Sequence, residues 1–259
     1  MTPFAQTAIE AAKIAGQMLR DNAATDLTVN EELKYDLKLE LDVQCQDAIS
    51  EHLLAAFPGH AILGEEGLAG DQSSPYQWIV DPIDGTVNFF YGIPHYCVSI
   101  ALRHEDQYLV GVIYDPCQDE LWLADEGKAT LNGRPITASV RDQPSKAAFT
   151  IGFSKSASTM ETGFKRYRLI ASQVRKTRML GSAALAMAYV ATGRLDAYIE
   201  AQISLWDIAA GIPLIEAAGG RIHLTPLPAE HGDSKFSITA SSAALHPFCL
   251  KAVAEADAG

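Results

Sequence analysis

The sequence predicts an α/β protein, and three observations carry that assignment. The chain opens on an apolar spacing that fits an amphipathic helix, its middle holds apolar runs parted by short turns, and its last third alternates helix-like and strand-like segments. The first part thus reads as helices followed by a sheet, and the second as layers of helix and sheet.

Residues 4–20 place Phe4, Ala8, Ala11, Ala12, Ala15, Met18 and Leu19 at helical spacing. In Asp36-Leu37-Lys38-Leu39-Glu40-Leu41-Asp42 polar and apolar residues alternate, which predicts a strand showing Asp36, Lys38, Glu40 and Asp42 on one face. A helix over about 43–56 follows, stopped by Pro58-Gly59. After the short segment HAILGEEG and a polar loop near 69–75 comes the strand YQWIV. Between 98 and 136 the runs VSIAL, YLVGVIY and ELWLA, with a turn signal at Asn132-Gly133, predict an antiparallel meander. Beyond it the pattern predicts strands at 147–153, 175–179, 195–200, 220–223 and 235–240, and helices at about 161–173, 182–192, 206–218 and 243–255. The break at RDQPSK divides an N-terminal half, 1–140, from a C-terminal half, 141–259.

With 259 residues, 48% of them hydrophobic, the chain can bury a large core as one domain or two packed halves. Its 20 basic and 32 acidic residues give a formal charge of −12 with no run of Lys or Arg, which argues against nucleic-acid binding through a basic face. The start MTPFAQTAIEAAKIAG lacks the basic and apolar regions of a secretory signal, and no stretch approaches the roughly 18 apolar residues of a membrane span. A cytoplasmic protein with no membrane partner is the expectation. Cys45, Cys97, Cys117 and Cys249 show no paired spacing, so reduced, mostly buried thiols are expected rather than a zinc site or disulfide framework.

Chemistry concentrates in WIVDPIDGTVNFF, residues 78–90. Asp81 ends an apolar strand, Pro82 fixes a turn, and Asp84 follows three positions on, so both carboxylates can converge with the Ile83 carbonyl between them. Two carboxylates and a carbonyl are hard oxygen ligands of the kind magnesium prefers, and magnesium keeps positions for water and substrate phosphate. Gly85 and Thr86 then open a short helix whose free N–H groups suit an anion. An ordinary Asp-capped turn would read the same way in isolation. Glu65 and Glu66 in LGEEG, and Asp207 at the start of the apolar LWDIAAG, each have a plain reading too, as a solvated turn and a helix cap. The combination of all three changes the weighing.

GEEG at 64–67, WIVDPIDGTVNF at 78–89 and LWDIAAGIPLIEAAGG at 205–220, in that order, resemble the inositol monophosphatase family of magnesium-dependent, lithium-sensitive phosphatases over nearly the whole chain. The resemblance implies a layered αβαβα sandwich of the inositol monophosphatase and fructose-1,6-bisphosphatase type. It implies that Glu65, Asp81 and the Ile83 carbonyl hold one magnesium ion, that Asp81, Asp84 and Asp207 hold a second, and that Glu65 supports a third, weaker site. By the same resemblance Thr86 orients the attacking water, Asp42 hydrogen-bonds that threonine, and Gly85 and Thr86 present N–H groups to the phosphate. Gly181, Ser182 and Ala183 would line the sugar or inositol pocket, and Glu200 would bind substrate hydroxyls. Hydrolysis of inositol 1-phosphate or a related small phosphorylated polyol or sugar, by water and without a phospho-enzyme, in a homodimer, is the implied function.

Alternatives stay open at this level. Related enzymes act on histidinol phosphate, fructose 1,6-bisphosphate or 3′-phosphoadenosine 5′-phosphate on the same fold, and a non-catalytic accessory protein working by macromolecular contacts would share it as well. KYDLKLELD departs from the family pattern, with Leu39 in the threonine place and Lys34 closer than usual; Lys38 reads first as a strand salt bridge and otherwise as a group near the metal site or phosphate. His95 reads as a packed residue or dimer contact, Trp78 and Trp206 as core aromatics that fix the aspartate loops, and Arg178 as a group beside the pocket that pairs with an acid or crosses an interface. Ser154 has no base in its sequence context to make it a nucleophile.

Overall fold

The computed structural model describes residues 1–23, 29–33, 36–153, 157–228 and 235–259, with the side chains of 30–33, 36–38 and 157–158 outside that description. Lys34, Ser154 and the side chain of Lys38 therefore lie outside the described residues.

Helix α1 (Pro3–Asn22) starts with Pro3 in its first turn, and the Thr2 hydroxyl caps it by accepting the Ala5 N–H at 3.1 Å. Strands β1 (Val29–Leu33) and β2 (Asp36–Leu39) form an antiparallel hairpin, and α2 (Glu40–Ala56) follows at once. The strand expected to run to Asp42 thus ends at Leu39, and the helix expected from 43 begins at Glu40. Leu39 N–H donates to Asp42 Oδ2 at 2.7 Å, so Asp42 serves the free donors and positive dipole end of α2. Leu39 and Leu41 are both buried, one from the strand and one from the helix, so the alternation spans a junction of two elements.

Next come β3 (Ala61–Gly64), β4 (Gly67–Gly70), β5 (Tyr76–Asp84), the single-turn α3 (Thr86–Phe90), and the meander β6 (Cys97–His104), β7 (Gln107–Asp115), β8 (Glu120–Asp125), β9 (Lys128–Leu131) and β10 (Arg134–Pro135). They build an eight-stranded sheet in the order β10-β9-β8-β7-β6-β5-β3-β4, antiparallel except for the β3 and β5 pair. At the last hairpin Asn132 and Gly133 both take positive φ, 48° and 75°, as a two-residue turn of the primed type requires.

The chain continues through β11 (Ala148–Ile151), α4 (Ala157–Ala171), β12 (Lys176–Arg178), α5 (Ala183–Ala191), β13 (Ala197–Ser204), α6 (Leu205–Ile208), α7 (Gly211–Ala217), β14 (Arg221–Pro226), β15 (Lys235–Ser241) and α8 (His246–Ala258). These strands form a five-stranded mixed sheet, β12-β11-β13-β15-β14. The helix expected over 206–218 is broken between α6 and α7, because Pro213 cannot donate back to Ala209 and its ring crowds that carbonyl.

Three cores lie between five layers. Helices α1 and α2 cover one face of the large sheet around Trp78, Leu53 and Val112. On its other face Trp122, Ile113 and Ile79 meet α5, α6 and α7, which also pack on Tyr198, Ile238 and Ala240 of the smaller sheet. Helix α4, through Ile170, and α8 close the outer side on Phe149 and Ile199. The order is α, β, α, β, α, as the resemblance implies, and each large side chain buried this way contributes about 1.5–3 kcal/mol. Among the described residues no helix is long and apolar enough to cross a membrane.

Candidate metal centre and substrate cavity

Strand β5 carries the first two acids, and it does not stay regular to its end. Its partner β6 pairs Asp81 with Ser99 and Asp84 with Cys97, so three steps on β5 face two on β6. That extra residue is a bulge, and it turns Asp81 and Asp84 toward a common point. Ile83 N–H donates to Asp81 Oδ1 at 3.0 Å and fixes the turn from within. Asp207, in the one-turn helix α6, completes the group: ligand oxygens of Asp81, Asp84 and Asp207 all lie within 4.8 Å of one another.

Each acid is held by a different device. Asp84 faces the N-terminus of α5, where Ser182 Oγ donates to its Oδ2 at 2.5 Å, Ala184 N–H to the same oxygen at 2.7 Å and Ala183 N–H to Oδ1 at 3.2 Å. Asp207 Oδ2 accepts the Ser204 N–H at 2.9 Å. Asp81 is only 1% exposed.

Burial, followed by the charges of Glu65, Asp84 and Asp207, pushes the Asp81 carboxyl well above the usual carboxylate range. Burial, then Asp207, pushes Asp84 up to about 7 against the pull of its three donors. Asp207 is raised by burial too, opposed by Ser204 and Lys235. Three crowded carboxylates, two of them buried and Asp207 partly so, repel one another when ionised, and a hard divalent cation is the partner that such oxygen donors fit.

Glu65 stands in the tight turn between β3 and β4 and lines the same cavity. That turn is braced by a residue the sequence reading missed. Gln46 Oε1 accepts the Glu66 N–H at 2.8 Å and Gln46 Nε2 donates to the Gly67 carbonyl at 3.3 Å. The available signal was its place four residues after Asp42, on one face of α2.

Thr86 closes the near side. Its hydroxyl lies 2.9 Å from the Ile83 carbonyl and 3.3 Å from Asp42 Oδ1, two acceptors for one proton. Gly85 precedes it at φ 100°, where a Cβ would come within 3.0 Å of the His95 carbonyl. Asn88, also overlooked, donates to the carbonyls of His95 at 2.8 Å and Leu180 at 2.9 Å and so ties α3 to the Gly181 turn.

From these acids a cavity of about 500 Å³ extends between the two sheets. Gly181, Ser182 and Ala183 line it, although Ser182 Oγ and the Ala183 N–H are already directed at Asp84. Glu200 lines it from β13, and Tyr198 O–H donates to Glu200 Oε2 at 2.6 Å. Gly152 lies against that carboxylate so closely that a Cβ would sit 1.7 Å from Oε2. Lys235 is the one cationic side chain among the described residues lining the cavity; its Nζ donates to Ser204 Oγ and lies 5.4 Å from the Trp206 ring centre. Gly152 and Lys235 had no signal in the sequence, since each acts across a strand pairing, whereas Tyr198 stands two positions before Glu200 on β13, where strand alternation could have found it.

Trp78 is fully buried, and Trp206 lies partly buried at the cavity beside Asp207. His95 packs edge-on to Tyr189 at 5.9 Å. Arg178 is exposed and donates to its neighbour's carbonyl, Thr177 O, at 3.1 Å.

The model of a family described as the inositol monophosphatase family matches residues 1–256. A protein named inositol monophosphatase 3, from Solanum lycopersicum, is 37% identical over 97% of this chain and 97% of its own. A Nus factor SuhB from Pseudomonas aeruginosa is 36% identical over 86% of this chain and 85% of its own. The solved structure of an inositol monophosphatase from Anabaena (Nostoc) sp. PCC 7120 superposes with a TM-score of 0.84 at 34% identity, covering 97% of this chain and 95% of that one.

Proposed function

The chain belongs to the inositol monophosphatase family, and from that premise we propose that it is a magnesium-dependent phosphate monoester hydrolase whose first substrate is an inositol monophosphate. The observation that carries this reading is the converging trio Asp81, Asp84 and Asp207 at one end of a polyol-sized cavity that has Glu200 on its wall. The reaction is the addition of water across the P–O bond, giving the free alcohol and inorganic phosphate.

In this reading Glu65, Asp81 and the Ile83 carbonyl hold one magnesium ion, and Asp81, Asp84 and Asp207 a second, with Glu65 also serving a third, weaker site. When bound, such ions supply positive charge to the phosphate oxygens and lower the pKa of a bound water. The protein's own residues do the rest. Thr86 Oγ1, its proton committed to Ile83 O or Asp42, accepts a hydrogen bond from the attacking water and holds it in line with the leaving oxygen. Asp42 keeps that hydroxyl oriented, and Glu65 takes part in handling the proton the water loses. Backbone N–H groups of Gly85 and Thr86 receive the phosphate. The turn Gly181 to Ala183 shapes the cavity for the ring, and the carboxylate of Glu200 accepts substrate hydroxyls. Lithium sensitivity, a homodimer and a cytoplasmic setting belong to the same reading.

The test is phosphate release from inositol 1-phosphate, histidinol phosphate, fructose 1,6-bisphosphate and 3′-phosphoadenosine 5′-phosphate, each with magnesium, with EDTA, and with Asp84→Asn. Turnover that needs magnesium, is greatest on the inositol ester and is lost in the variant supports the reading. Folded, magnesium-binding protein that leaves all four substrates intact would overturn it. One observation favours a second reading by contact with other macromolecules: the relative named a Nus factor matches most of this chain. Under it, Asp84→Asn would keep the biological role while losing phosphate release.

A further inference from the structure

Glu200 lies beside a fault in its strand. Strand β15 pairs Ile238 with Glu200 and Phe236 with Ile203, so three steps on β13 face two on β15. The extra residue changes which side chains the strand delivers. In a regular strand Gln202 and Ile203 would point to opposite faces, yet both line the substrate cavity, together with Tyr198 and Glu200. The pocket wall thus depends on the bulge.

Behind the bulge, on the face of the sheet away from the cavity, lies Arg166 of α4, only 5% exposed. Its Nη1 reaches through to the Glu200 carbonyl at 3.3 Å and to Ser237 Oγ at 3.1 Å, and Ser237 Oγ in turn lies 3.3 Å from the same carbonyl. The fork of the guanidinium is aimed by Asp257 of α8, which accepts from Nε at 2.8 Å and Nη2 at 2.7 Å. One planar cation thereby joins two outer helices to the backbone of the bulged strand. A lysine could not reproduce that geometry, since its single ammonium cannot present a fork to Asp257 and a third edge to the strand.

We propose that Arg166 is a positioning residue for the substrate cavity: from the far side of the sheet it holds the β13 bulge, and so sets the place of Glu200, Gln202 and Ile203 on the pocket wall. The kinetic consequence rests on the reading that Glu200 binds substrate hydroxyls, whereas the structural consequence does not.

The experiment compares Arg166→Met, Arg166→Lys and Asp257→Asn with the full-length protein on two substrates, inositol 1-phosphate and p-nitrophenyl phosphate, whose leaving group offers no hydroxyl ring to Glu200. Arg166→Met should raise KM for inositol 1-phosphate about tenfold while kcat on p-nitrophenyl phosphate stays within about twofold. Arg166→Lys and Asp257→Asn should shift the same KM by smaller factors. Equal losses on both substrates, in step with a fall in Tm, would show a merely structural residue and overturn the proposal. A crystal structure of the variant reads the bulge directly, and an unchanged Glu200 carbonyl and Gln202 to Ile203 path overturns it whatever the kinetics. If the parent enzyme cleaves neither ester, the phosphatase reading has failed and the crystal structure alone decides for Arg166. If Arg166→Met does not fold, Asp257→Asn carries both measurements.

Discussion

Strands β5 and β13 are each bulged where they meet the cavity, with the same count of three residues against two, and they are secured in opposite ways. The β5 bulge contains Pro82 and is fixed from inside by the Asp81 carboxylate accepting from Ile83, with Asp84 docked on the start of α5. The β13 bulge, Glu200-Ala201-Gln202-Ile203, has neither proline nor glycine and is held by Arg166 and Ser237, one from a helix and one from the neighbouring strand. The first brings together acids suited to a cation, and the second lines the cavity with the polar wall that, in the proposed function, meets the substrate's hydroxyls. Under that proposal chemistry and selectivity are built on separate faults of separate sheets.

The largest expected effect falls on the β5 side. Asp81→Asn should lower magnesium-dependent kcat by about 10³-fold or more, while raising the Tm of metal-free protein at alkaline pH, because it removes one of three crowded acids that repel one another when ionised. A Tm that fell in EDTA would show the trio to be a stabilising hydrogen-bonded cluster and break the contrast.

The second expectation concerns pH. Asp84 moves from 3.8 to about 7 on folding, so the folded state holds a proton that the unfolded state has released. In EDTA this group is neutral in both states below pH 3.8, and its ionisation takes stability away as pH rises from there to about 7. Magnesium needs the carboxylates ionised, so its apparent affinity should weaken by about tenfold per unit below pH 7 for each proton displaced. Tm against pH, with and without magnesium, checks both signs; a magnesium-induced rise in Tm as large at pH 5 as at pH 8 would contradict them.

The third acts on the β13 side alone. Gly152→Ala puts a Cβ into the Glu200 carboxylate, which should raise KM for the polyol ester by about tenfold and lower stability by about 1–3 kcal/mol. Smallest is Tyr198→Phe, which removes the 2.6 Å donor to Glu200: a rise in KM of a few-fold, with about 1 kcal/mol of stability. Either substitution changing magnesium affinity as much as KM would show that the two walls are one unit.

How far the sequence could be read follows the same divide. The DPIDGT stretch was legible because its acids, its proline and its Gly-Thr ending are contiguous, and Glu65 and Asp207 lie in equally compact motifs. The layered order was legible because each strand and helix has its own period. Asp42 was placed on a strand because leucines on both sides of a strand-helix junction mimic period two. Gly152 and Arg166 are ordinary residue types whose roles exist only after β13 is paired and backed, 48 and 34 residues along the chain from Glu200, whereas Tyr198 lies only two residues before it on the same strand.

The docking of Asp84 on α5 has a consequence for the newborn chain. Its three donors lie 98, 99 and 100 residues further on, and at roughly 5–20 residues per second of synthesis the acid waits about 5–20 s for them to be made. Asp207 arrives later still. A ribosome stalled between residues 136 and 206 would hold the meander with two of the aspartates and not the third, so the three acids can meet only once about four fifths of this chain has been made.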